Sequence, residues 1–293
     1  MAELAVLTPS FSGDAEIFAD LHRSVLEFTP DETVHHVFVP LRDKHLFARF
    51  EGPRCRLLTS RELLPPRYVR IGRGDSYVNV RRPWPPVRRW VMQQAIKLAA
   101  AAVIDADVVI VADSDVVLVR PVTADRFRLG DQRYLFRTAD GVHAGMERHV
   151  LWHRVSRELV GLPADVALPR PDYVSSFNFW DPAVVRAMLA RITESTGRDW
   201  LDAFTSQLHI SEFMLYGVFV DEVLHASGAR PPGDTKVCLN TWQRTPLSHA
   251  DAIAFAESLE PEAVAMMISA KSNTPMDVRR AAIERCAEIV RSR

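Results

Sequence analysis

Asp113 and Asp115 stand on either side of Ser114, where the most convincing apolar strand of the chain, residues 107–112, runs out. Two carboxylates at i and i+2 can both turn toward one point where the chain bends. A hard divalent ion such as Mn²⁺ or Mg²⁺ favours oxygen ligands. It commonly takes one or two carboxylates and fills its remaining positions with water and phosphate oxygens. A cation held there would neutralise charge growing on a departing diphosphate. The plain alternative is a solvated turn, because Asp is common in turns. An acidic pair between two apolar runs, VVIVA and VVLV, favours the ion.

Further polar residues interrupt apolar elements. From Pro86 a helix is expected, with Val87, Val91, Gln94, Ala95, Leu98 and Ala102 on one face at helical spacing. Gln94 within that stripe is costly unless its amide is paired. Trp90, Gln93 and Lys97 form the adjacent stripe. A lysine there can meet a diphosphate as a point charge, and the glutamines can bond sugar hydroxyls. Asn178, amid Phe177, Phe179 and Trp180, faces either a ligand or its own strand edge. Arg81, Arg82, Arg88 and Arg89 precede the helix and can add anion binding, although Arg is abundant throughout the chain.

The elements that must position these residues alternate. Residues 4–7 read as a buried strand, 14–28 as a helix, 33–39 as a strand, 43–50 as a short helix and 54–58 as a third strand. Residues 65–86, rich in Arg, Gly and Pro, read as a long surface loop able to close over a ligand. Strand and helix in alternation imply an α/β fold with a mostly parallel central sheet flanked by helices. In such sheets ligands sit beyond the carboxyl ends of the strands. Farther on, 133–137 and 173–179 read as strands, and 182–192, 212–224 and 277–290 as helices.

With 293 residues, 47% of them apolar and 25% charged, the chain can bury a substantial core, which excludes wholesale disorder. One domain spanning 1–293 is expected, in two halves, residues 1–120 and residues 121–293 with the C-terminal helix. The formal net charge of −1 gives no footprint for nucleic acid. Cys55, Cys238 and Cys286 lack metal-cage spacing and fit a reducing cytoplasm. No leader peptide is evident. The apolar region 95–111 is broken by Lys97, Asp105 and Asp107, so it is no integral membrane span. A cytoplasmic location is expected, with peripheral membrane contact left open.

The acidic pair after a fourth α/β strand resembles the nucleotide-sugar glycosyltransferases of the GT-A class. Residues 89–98, RWVMQQAIKL, are similar to the W-x-x-Q-Q-x-x-K-L signature of the bacterial glycosyltransferase-like family DUF6492. Thr8-Pro9-Ser10, Val39-Pro40 with Asp43, residues 175–179 (SSFNF) and residues 211–213 (SEF) follow in the same order. The resemblance runs from about residue 4 to 216. It implies a GT-A fold, a nucleotide-diphosphate sugar as donor, a hydroxyl-bearing glycan or small molecule as acceptor, and metal-assisted transfer. By the resemblance, Thr8, Pro9 and Ser10 meet the nucleotide, and Asp43 holds the base or caps a short helix. Asp113, Ser114 and Asp115 meet the metal and diphosphate. Trp90, Gln93, Gln94, Lys97 and Asn178 line the donor site. Residues 1–120 then form the nucleotide half and 121–293 the acceptor half. Glu212, opening a helix, becomes the candidate base if the transfer inverts or an acceptor contact if it retains, with Asp221 and Glu222 behind it. A first-turn glutamate that complements the helix dipole is the plain alternative. The late histidine that many GT-A enzymes offer a metal has no counterpart near residues 266–273, where Ser269 or Lys271 would take over.

Three other readings compete, of which nucleotidyltransfer would show a Gly- and Arg-rich loop after the first strand, a poor match to residues 8–14. A haloacid-dehalogenase-type phosphatase would use Asp113 as nucleophile and Asp115 as acid–base. It would need Lys236 and the pair Asp221-Glu222, which arrive in the wrong order for that class. A non-catalytic sugar-binding module would keep the fold and bind without turnover.

Overall fold

The computed structural model describes residues 2–72, 76–129, 132–225 and 237–293. Lys236 lies outside the described residues, as do residues 73–75 of the expected loop. The central sheet has five strands: β1 (Ala2–Pro9), β2 (Val34–Phe38), β3 (Cys55–Leu58), β4 (Ala106–Ala112) and β6 (Phe177–Trp180). Their order is β6-β4-β1-β2-β3, parallel except for β6, which runs antiparallel to β4. The other main elements are α1 (Ala15–Phe28), α2 (Arg89–Val103), β5 (Val116–Leu118), α3 (Glu147–Leu159), α4 (Pro182–Thr196), α5 (Glu212–Val218), β7 (Cys238–Thr241), α6 (His249–Glu257), β8 (Ala265–Ile268) and α7 (Met276–Ser292).

β1 and β4 carry continuous apolar runs, residues 4–7 and 108–112, because both sheet faces are covered there. Ala5 and Leu7 of β1 and Val109 and Val111 of β4 join a core with Val91, Met92 and Ala95 of α2. Their alternating neighbours, Leu4, Val6, Val108 and Ile110, join a second core with Phe18, Leu21 and Val25 of α1. The period of two in the strands thus feeds two helical layers.

β1 lies between β2 and β4, so the chain leaves β1 in one direction and later returns on its other side. This reversal places a crevice beyond the carboxyl ends of β1 and β4, where Thr8-Pro9-Ser10 and Asp113-Ser114-Asp115 emerge. A smaller sheet, β7-β8-β5, carries the chain past Asp115 and brings the turn after β8 to the same rim.

The arginine- and proline-rich stretch expected as a loop is instead a three-stranded antiparallel meander, Tyr68–Ile71, Ser76–Asn79 and Arg82–Val87. Its pattern is hidden in sequence because only one face is buried, through Tyr68, Tyr77 and Asn79. Pro86 belongs to its last strand, and α2 begins at Arg89 with Arg88 as its N-cap residue. In the stretch expected as a strand over 173–179, pairing to β4 begins at Phe177. The helix expected over 212–224 is α5 continued by a π-turn, Phe219–Val223.

Gly217 lets α5 lie against the buried Tyr173 ring. A Cβ there would come within 2.1, 2.3 and 2.5 Å of three ring carbons. The Tyr173 hydroxyl donates to Asp221 at 2.6 Å, so the ring has no free direction in which to retreat. Gly217→Ala is therefore expected to destabilise the fold by about 3 kcal/mol, the upper range for overpacking, read as a lower urea midpoint.

Candidate functional site

A crevice of about 720 Å³ occupies the reversal point. Its floor is built around one ammonium group. Lys97 reaches from α2 to donate to Asp113 Oδ1 at 3.0 Å and to Glu212 Oε1 at 3.1 Å. The Lys97 and Glu212 side chains are 6% and 5% exposed, whereas Asp113 is 36% exposed. Lys97 thus joins a helix, a strand end and the first residue of α5. Burial pulls its pKa down, but the charges of Asp113 and Glu212 more than offset this and raise it above the ordinary lysine range. Burial raises the Glu212 carboxyl, and the Lys97 charge opposes that rise.

The surrounding polar groups hold this triad in place. Gln94 Oε1 accepts the Glu212 N–H at 2.9 Å, and Gln94 Nε2 donates to the Trp90 carbonyl at 3.2 Å. The glutamine in the apolar stripe therefore satisfies an orphan amide at the start of α5. Ser211 caps the same helix by accepting from Met214. Ser114 Oγ lies 3.0 Å from the Pro9 carbonyl and 3.0 Å from Ser10 Oγ, stapling the acidic turn to the end of β1. Asp115 Oδ2 accepts the Ala270 N–H at 2.7 Å, from the turn Ala270–Ser272 that follows β8.

Acids outnumber bases on these walls. Asp14, Glu16, Asp113, Asp115 and Glu212 face Arg89, Lys97 and Lys271. Burial, then the Asp113 charge, pushes the Asp115 carboxyl up to about 6, against the Ala270 amide and Arg279. Burial and Asp113 likewise push Asp14 up to about 6, against Arg279 and Arg89. A region that raises its own carboxyls favours added positive charge.

The residues present fit a hard divalent cation in the manner of one or two carboxylates completed by water and phosphate oxygens. Asp113 and Asp115 both line the crevice. Among the described residues no cluster of three or more His, Cys, Asp or Glu forms a ready ligand cage.

The residues expected from sequence divide into two groups. Pro9, Trp90, Gln93, Gln94, Lys97, Asp113, Ser114, Asp115, Glu212 and Lys271 all line the crevice. Within that group Lys97 is committed to two carboxylates and Gln94 to backbone groups, so Arg89 and Lys271 are the exposed cations on these walls. Thr8, Asp43 and Asn178 do not line it. Thr8 is fully buried, with Oγ1 2.9 Å from His35 Nε2. Asp43 takes the Ser12 N–H at 3.0 Å and makes no helix-capping bond of its own. Asn178 donates to the Ser175 carbonyl at 3.0 Å. Ser10 lines a smaller neighbouring cavity of about 110 Å³, with Phe11, Phe38, Tyr77 and Gln93. Asp221 and Glu222 lie away from the crevice, bonded to Tyr173 and to Arg157 and Arg170.

Sequence reasoning missed Asp14, Trp242 and Arg279. Asp14 is the nearest acid after β1, a signal that went unused. Trp242, 56% exposed, lines the crevice just after β7. Arg279, buried on α7, donates to the Ile268 carbonyl at 2.6 Å and supplies a charge behind Asp115.

A family model described as a family of unknown function, DUF6492, matches residues 6–267. No curated protein matches the chain. Among solved structures, an active-site mutant of LgtC aligns with a TM-score of 0.43 and 14% identity, over 98% of this chain and 95% of that one. Galactosyltransferase LgtC in complex with donor and acceptor sugar analogues gives 0.43 and 13%, over 98% and 95%. Mouse xyloside xylosyltransferase 1 in its apo form gives 0.47 and 12%, over 93% and 99%.

Two outcomes are expected. Lys97→Met leaves two carboxylates without their cation and costs about 3–5 kcal/mol in urea unfolding, part of which a second change, Glu212→Gln, restores. The pH dependence concerns Asp14 and Asp115, whose ordinary value is 3.8. Both hold their proton more tightly folded than unfolded, so their contribution is most favourable below about 4 and declines as pH rises through about 6. Asp115→Asn removes its share of that decline. Without divalent ions the variant is more stable than wild type at pH 7, a difference that closes toward pH 4 in unfolding curves.

Proposed function

The chain belongs to the DUF6492 family, and from that premise and the crevice we propose that it is a GT-A-type glycosyltransferase. It moves a sugar from a nucleotide-diphosphate sugar to a hydroxyl acceptor. One observation carries the reading: an acidic pair at the reversal point of a mostly parallel sheet, one member tied through Lys97 to a buried glutamate. Mn²⁺ or Mg²⁺, held by Asp113 and Asp115, would supply charge neutralisation for the leaving diphosphate.

The chain's own residues do the rest. Lys97 engages Asp113 Oδ1, leaving the partly exposed carboxylate its other oxygen for the crevice. Lys271 and Arg89, both exposed on the walls, attract the donor's phosphates. The smaller cavity beside Ser10 offers Phe11 and Tyr77 to a flat base. Trp90 stacks on Trp152 of α3 at 5.3 Å, giving a rigid wall for a sugar face. Glu212 is the candidate base. It would take the acceptor's hydroxyl proton at its carboxylate, and the attack that follows would invert the anomeric centre. Burial raises the affinity of Glu212 for that proton, and the Lys97 charge opposes the rise.

A thermal-shift panel of UDP, GDP, dTDP and CDP, with and without Mn²⁺, tests the reading. One nucleotide plus Mn²⁺ should raise the melting temperature, by the equivalent of about 2.7 kcal/mol at a hundredfold excess over its dissociation constant. Asp113→Asn with Asp115→Asn should abolish the Mn²⁺-dependent part. An unchanged shift in that double variant overturns the metal assignment. Glu212→Gln should keep the shift and lose turnover of the matching nucleotide sugar by about 10²–10⁴-fold.

A further inference from the structure

A further cavity, of about 190 Å³, borders the first turn of α2, between the meander and the short helix Trp200–Thr205. Four arginines line it: Arg81, Arg82, Arg88 and Arg198. Asp202 is the single acid among its lining residues. Asp202 Oδ1 already accepts from Arg67 Nε at 3.1 Å, Tyr68 OH at 2.7 Å and Asn79 Nδ2 at 2.9 Å. Arg67, outside the cavity lining, pairs with both Asp202 and Asp199, so the five arginines about the cleft face two carboxylates and leave an excess of positive charge.

Among the described residues the four lining guanidinium groups form no ion pair of their own, although the Arg81 charge acts on Asp202. Arg88 donates to the Leu208 carbonyl at 3.1 Å, and Arg198 to the Asp202 carbonyl at 2.9 Å and Ser206 Oγ at 3.3 Å. These neutral acceptors fix the two heads without cancelling them. Arg81 and Arg82 form no ion pair among the described residues. On a chain of net charge −1, such a concentration of one sign is local and directed. Guanidinium forks match phosphate oxygens, and four of them suit a group carrying more than one negative charge.

We propose that this cleft binds a phosphate or pyrophosphate group of a ligand other than the one in the crevice. Arg88 lines the cleft and Arg89, its neighbour, lines the crevice, so the two cavities share the first turn of α2. Resting on the glycosyl-transfer reading, the group belongs to the acceptor, which is then phosphorylated, either as a soluble molecule or as a lipid headgroup.

The test uses the full chain with EDTA present, so that the crevice cannot recruit a divalent ion. Inorganic pyrophosphate is titrated by calorimetry, and vesicles of phosphatidylcholine with or without phosphatidic acid are co-sedimented. Arg81→Glu with Arg82→Glu should weaken pyrophosphate binding by about tenfold or more, equivalent to about 1.4 kcal/mol. Arg88→Gln should weaken it less. A charge-matched control at two exposed positions outside the cleft lining, Arg61→Glu with Arg291→Glu, should bind as wild type does. Binding confined to phosphatidic acid vesicles and lost in the Arg81/Arg82 variant also supports the cleft and assigns the source to a headgroup. Wild type binding neither probe, or the cleft variant and the control behaving alike, overturns the proposal. The Mn²⁺-dependent nucleotide shift should survive in every cleft variant, so the failure of one reading is distinguishable from the failure of the other.

Discussion

A single buried ammonium sets the geometry of the whole crevice. Lys97 draws together Asp113 at the end of β4 and Glu212 at the start of α5, two carboxylates separated by almost a hundred residues of chain. Each carboxylate so near the other would be costly without the cation, and the buried cation would be costly without them. The helix, the strand and the second helix therefore have one mutual arrangement in which all three charges are satisfied. Gln94 reinforces it from one turn earlier on α2 by taking the backbone amide of Glu212.

Beyond that triad the crevice remains short of positive charge. Asp14 and Asp115 are both pushed up to about 6, and both owe part of that rise to Asp113. The folded protein therefore stores electrostatic repulsion at the place where an incoming cation would relieve it. The basic cleft beyond the first turn of α2 has the opposite imbalance. Two adjacent residues, Arg88 and Arg89, mark the border between a region that favours cations and one that favours anions.

The two inner strands of the central sheet, β1 and β4, were legible in the sequence because residues 4–7 and 108–112 are buried on both faces and read as unbroken apolar runs. Asp113 and Asp115 were legible because each is a charge at the margin of an apolar run, where an unpaired charge would be expensive. Lys97 stood out beside the apolar stripe of its helix, and Glu212 came through the family resemblance. What the residues do to one another was not legible. Lys97 reads as a free cation for a phosphate until the fold brings Glu212 beside it, a contact across 115 positions. Thr8, Asp43 and Asn178 carry the right chemistry but point into local bonds with His35, Ser12 and Ser175, which strand register and loop course decide. The meander escaped for a different reason. Arg and Pro dominate its exposed positions and mask the alternation of Tyr68, Tyr77 and Asn79 beneath.

The hydroxyl of Ser114 ties the acidic turn to Pro9 and Ser10, so the ends of β1 and β4 cannot separate without breaking it. The inner wall of the crevice therefore behaves as one rigid piece, while Trp242 and Lys271 reach it from the smaller sheet and the turn that follows it. Divergence among relatives in what they accept would then accumulate on that outer wall, which can be rebuilt residue by residue while the charged floor stays as it is.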